Sequence, residues 1–225
     1  TRGVPTAGKD AIINGIGGAK SVSITTGGQL AKSLVMTGDG DDSLTLSSGS
    51  LDLAGSSSIG TGVAFNYSGG ALNLGSGALL TVASGGSLNL SNATNLVGAT
   101  VASSTLSVAS GGNLTLTGSS HSLQRLTVNN AGLVVLNTTG SGDQLNFHDG
   151  TVFNNNSGGV FRFAAGRTVG EVGGGYQFNN NAGGTVENAG AFTSTFAGGS
   201  GVFTQNASAT LNGGGGAFTF TQGSG

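Results

Sequence analysis

The 225 residues include 46 glycines, seven Lys or Arg, nine Asp or Glu and no Cys, and only 7% of positions are charged. The cations are scattered from Arg2 to Arg167, so no patch is dense enough to neutralise a phosphate backbone, and nucleic acid is excluded as an expected partner. Lack of Cys removes disulfides and thiolate zinc sites, while 36% hydrophobic residues at a net charge of -2 describe a chain that buries a core rather than a disordered one.

In chain order, residues 1–20 carry the only Pro and no repeat unit, and read as an N-terminal cap or arm. The chain opens on Thr1 without a signal peptide, as a mature product or an excised segment would. Residues 21–225 read as one repeat region. Its loose unit is three alternating residues, a Gly/Ser/Asn turn, then three more. It occurs as LTLSSGSLDL at 44–53, FNYSGGALNL at 65–74 and LTVASGGSLNL at 80–90. It returns as LSVASGGNLTL at 106–116, LTVNNAGLVVL at 126–136 and LNFHDGTVFN at 145–154. The copies at 80 and 106 share eight of eleven residues. Near residue 145 the composition changes: ten of the eleven Phe lie at or beyond Phe147, and Leu211 is the only later Leu. There FNNNSGG at 153–159 returns as FNNNAGG at 178–184, then more weakly as FTQNASA at 203–209.

Each half-unit alternates apolar and polar residues, the mark of a strand with one buried face. No stretch has a helical period, and Gly and Ser are dense enough to make a helix costly. Strands of three to five residues gain stability when each stacks on its equivalent in the next coil, so the expected fold is an all-β parallel β-solenoid of roughly 9–11 coils. An antiparallel sandwich is the rival, but it rarely contains near-identical repeats. No run of about 20 apolar residues marks a transmembrane helix.

The repeats LxVASGGxLxL and FNNNxGGTVENAG resemble those of the β-helical passengers of Gram-negative autotransporters and of secreted adhesins of the filamentous-haemagglutinin type. The resemblance spans roughly residues 21–225. It implies a right-handed parallel β-helix, an extracellular or cell-surface location on a bacterium, and a role in adhesion or fibre formation.

Few residues promise chemistry. Gly38-Asp39-Gly40-Asp41-Asp42 resembles one copy of a calcium-binding nonapeptide turn, which makes Asp39, Asp41 and Asp42 the candidate metal ligands and calcium the only ion raised. A second copy to complete the shell is missing, and a solvated acidic turn is the plainer reading. Asp143, His148, Asp149, Arg162 and Arg167 form a looser group, but the patterns of polysaccharide-cleaving β-helices are missing, so no catalytic residue and no enzyme activity are expected. His121 and His148 read as ordinary turn or surface residues. Seven Asn-x-Ser/Thr sequons are no more than this composition produces by chance.

The leading functional expectation is structural. A solenoid leaves strand edges open at its ends, and Phe218 and Phe220 in the run 217–221 mark a candidate edge strand for assembly. The expected partners are further copies or flanking segments, joined head-to-tail. The alternative is an adhesin in which exposed Asn, Thr, Tyr67 and Tyr176 meet surface glycans or a host protein.

Overall fold

A computed structural model describes residues 6, 8–15, 18–38, 40–100, 103–140 and 144–222. Among them the chain forms 27 strands and no helix. Numbered in chain order, every third strand belongs to the same sheet, so there are three sheets, A, B and C, of nine strands each. All of the paired strands run parallel. The protein is therefore a β-solenoid with three strands to a coil. At about 4.8 Å between neighbouring strands, nine stack to roughly 40 Å.

The first coil is β1 (Asp10–Asn14), β2 (Ser21–Ile24) and β3 (Gln29–Ala31); the last is β25 (Val202–Gln205), β26 (Thr210–Asn212) and β27 (Ala217–Gln222). Because β1 pairs with residues 33–37, the rod begins inside the stretch that read as a cap, about ten residues before the sequence boundary at 21.

Period-two alternation holds along most strands. In sheet B one inward column reads Val22, Leu44, Phe65, Leu88, Leu114, Val134, Phe161, Val186 and Leu211. Between the end coils its members are 0–2% exposed, and successive members lie 20 to 27 residues apart. The uneven spacing of the sequence units has a simple origin. The copies at 80, 106 and 126 span sheets A and B, those at 44 and 65 span B and C, and that at 145 runs from C into A. One motif had been read at three different corners.

The Gly-Gly pair of the repeat meets two separate demands. Gly111 sits at φ 78°, in the left-handed region. Its neighbour Gly112 lies against the preceding coil, where a β-carbon would stand 2.6 Å from the carbonyl oxygen of Val82. One glycine turns the chain and the next lets two coils approach.

Beyond residue 145 rings replace branched side chains within the same columns. Phe153 and Phe178 stack at 4.7 Å and 7°, and Phe178 and Phe203 at 5.4 Å and 17°. Edge-on contacts from Phe161 and Phe196 tie these to the other two sheets. Such pairs add to the burial energy of each ring.

Candidate functional site

The features singled out in the sequence separate in space. Asp39 lies outside the described residues. Asp41 is exposed, whereas Asp42 is 2% exposed and turns beneath the corner, where one carboxylate oxygen accepts the backbone N–H of Lys20 at 2.6 Å. The other oxygen is buried without a hydrogen bond, wedged where any side chain on Gly15 or Gly38 would collide with it. Asp41 and Asp42 therefore do not face a common point, and the described residues contain no group of three or more Asp, Glu, His or Cys able to hold a metal.

The looser charged group is dispersed as well. Arg162 points outward from sheet B and pairs with Glu187 at 2.6 Å. Arg167 donates to the carbonyl of Thr138 at 2.7 Å, and Asp149 accepts from the Gln124 amide at 2.6 Å at a different corner. His148 keeps a buried Nε2 without a partner, and Asp143 is outside the described residues. His121, read as a turn or surface residue, is wholly buried. Its Nε2 faces the Thr117 carbonyl at 2.9 Å and so donates, which leaves Nδ1 to accept from the Thr94 hydroxyl at 2.8 Å.

The tyrosines are no glycan platform. Tyr67 is 0% and Tyr176 4% exposed, because each ring fills the core. The Tyr67 hydroxyl lies 2.7 Å from the Asn95 carbonyl, and burial raises its pKa against these hydrogen bonds. Burial, with the charge of Glu171 second, pushes Tyr176 up to about 12. Glu171 itself is held below its ordinary value, chiefly by the Ser200 hydroxyl at 2.7 Å, with the N–H groups of Ser200 and Gly175 assisting. That carboxylate clasps two glycine-rich corners, 173–175 and 198–201.

The FNNN segments build something the sequence suggested only in outline. The structure stacks their asparagines in three ladders. Asn155 and Asn180, in the middle of the two triplets, and Asn130, second of the pair Asn129-Asn130 one coil earlier, are fully buried. Asn130 donates to Asn155, Asn155 to Asn180 and Asn180 to Gln205, at 2.8, 2.8 and 2.9 Å. Each Nδ2 also donates to a sheet B carbonyl in the following coil, that of Val160, Thr185 or Thr210. On the outer face Asn179 donates to Asn154 and Asn154 to Asn129; at the corner Asn206 donates to Asn181 and Asn181 to Asn156. The inner ladder thus points its donors toward the C-terminal end and the two outer ladders point theirs the other way. The signal was present: Asn155 has the same parity as Phe153, so alternation alone places it inside.

The inner ladder replaces an aliphatic column. The same line of sheet A reads Ile13, Met36, Ile59, Val82 and Val108 before it becomes Asn130, Asn155, Asn180 and Gln205. Outside, the sheet A strands from 33–37 through β25 contain no charged residue.

Both ends of the rod are open among the described residues, since the strands of the first and last coils pair on one side only. At the N-terminal end a mouth of about 630 Å³ opens between Ile13, Val22, Ile24, Leu34 and Leu51. At the C-terminal end Phe220 is 47% exposed and lies in β27, while Phe218, in the same strand, is half-buried against Phe163. Both residues belong to β27, the last strand of sheet C among the described residues.

No family model matches the chain, and no curated protein does. Among solved structures it is similar to the TibC-catalyzed, hyper-glycosylated fragment TibA55-350, at 14% identity over 94% of this chain and 98% of that one, with a TM-score of 0.23. That score carries no argument, and the fold stands on the strand register alone.

Proposed function

We propose that this chain is a stiff structural module of an extracellular fibre at a bacterial surface, lengthened through its open strand edges. One observation carries the reading: among the described residues, each end of the rod presents three parallel strands paired on one side only, with exposed apolar side chains. Such edges template the addition of further strands, and a head-to-tail contact that does not close gives an open filament. The rod also suits a spacer, because each coil rests only on its neighbours and the core runs without a break. No cofactor and no catalysis enter this reading. Electron microscopy and sedimentation of the purified chain test it. Rods whose length grows with concentration are expected, and a chain that stays monomeric throughout overturns assembly.

A second reading, adhesion to an uncharged glycan, is favoured by the outer face of sheet A. Its hydroxyls and laddered amides can be desolvated without stripping water from a charge. Retention on neutral polysaccharide that disappears when Asn129, Asn154 and Asn179 are replaced by Asp is the expected outcome. Retention unaffected by those changes removes the reading.

A further inference from the structure

We infer that the partner at the C-terminal edge is the first coil of a second copy, stacked in the register that already relates one coil to the next; this rests on the assembly reading above. The internal coil-on-coil contact is the same interface repeated, and among the described residues the first and last coils each make it on one side only. Extending the columns across a junction sets Leu211 on Val22, residues that are 38% and 40% exposed at their separate ends. It also sets Phe203 on Ala11, where a small residue beside the mouth of about 630 Å³ leaves room for the ring.

Hydrogen bonding agrees with this register. Within the rod each inner amide donates to the sheet B carbonyl of the following coil, in the column Val160, Thr185, Thr210. Traced back through the rod, that column begins at Ser21. Gln205 ends the ladder, accepting from Asn180, and the junction offers its amide the carbonyl of Ser21 in the second copy. Charge does not oppose the contact, because residues 202–222 contain none to meet Lys9, Asp10 and Lys20.

The chain lacks Cys, so cross-linking reads the register directly. Stacked residues in neighbouring parallel strands lie about 4.8 Å apart, inside the range that a disulfide spans. The full chain with both Val22→Cys and Leu211→Cys, shown by circular dichroism to keep its β-sheet spectrum, is oxidised beside each single variant. Covalent trimers and longer species from the double variant, with neither single variant cross-linking, are expected. Covalent dimers from Leu211→Cys alone would mean that C-terminal ends meet each other, and would overturn the proposal. If the unaltered chain forms multimers that the double variant does not lock, another surface joins them; this register is then wrong although assembly stands. If the unaltered chain is monomeric at every concentration, the assembly reading falls and takes this one with it.

Discussion

Ser208 occupies a glycine's place. It stands in the corner column after Gly158 and Gly183, and its φ of 65° matches their 78°. A side chain in that region costs about 1–2 kcal/mol that glycine avoids. Ser208→Gly is therefore expected to raise stability by about 0.5–1 kcal/mol, read as a shift of the urea midpoint. The amide ladders allow a sharper comparison. Asn155→Leu deletes the donor to Asn180 and to the Thr185 carbonyl and strands buried polar groups on both sides, an expected loss of about 3 kcal/mol. Asn179→Leu removes the same functional group from the outer face, and should cost less than about 0.5 kcal/mol because water takes over the freed groups. Equal losses in the two variants would mean that burial of the inner ladder does not matter.

At the scale of the element, the link between corners 173–175 and 198–201 depends on one carboxylate. Glu171 is held below its ordinary 4.5 by the hydrogen bonds it accepts. A depressed folded-state value means that its stabilisation is present above the ordinary carboxylate range and fades as pH falls through the folded value. Glu171→Gln should therefore melt below the unaltered protein at pH 7, and the gap should close toward pH 3. A gap independent of pH would assign the effect to shape alone. The strands themselves show how far alternation could be read. Leu88-Asn89-Leu90 and its relatives are inward, outward and inward as their pattern demands. Asp42 and His121 follow it too, against their polar character: Asp42 stands just before Ser43–Leu46 with the parity of Leu44, and His121 opens His121–Gln124 with the parity of Leu123, so alternation places both inside where polarity alone suggests the surface.

For the whole molecule, the columns run through every coil, yet the end coils are covered on one face only. Hydrogen exchange should be fastest in β1–β3 and β25–β27 and slowest in the middle coils, with protection of the edges rising as the protein is concentrated if copies stack. Uniform protection along the rod would contradict this. The parallel stack, the short strands and the change from Leu to Phe near residue 145 were legible because each is a local pattern repeated many times. The number of coils was bracketed, and nine lies at the lower end of the range. The start of the rod at Asp10 was not legible, since β1 has no close copy of the repeat beside it.

Composition and period by themselves determined that this chain coils, which side of most strands is dry, and that its surface is almost without charge. Tertiary structure decided what meets what: that three ladders rise from one triplet, that both tyrosines are core, and that the acidic turn is divided between solvent and interior. The reason is physical. Alternation is a property of neighbours along the chain, whereas a ladder, a wedged carboxylate or an open edge exists only between residues about one coil apart, and the varying loops hide that distance from the sequence.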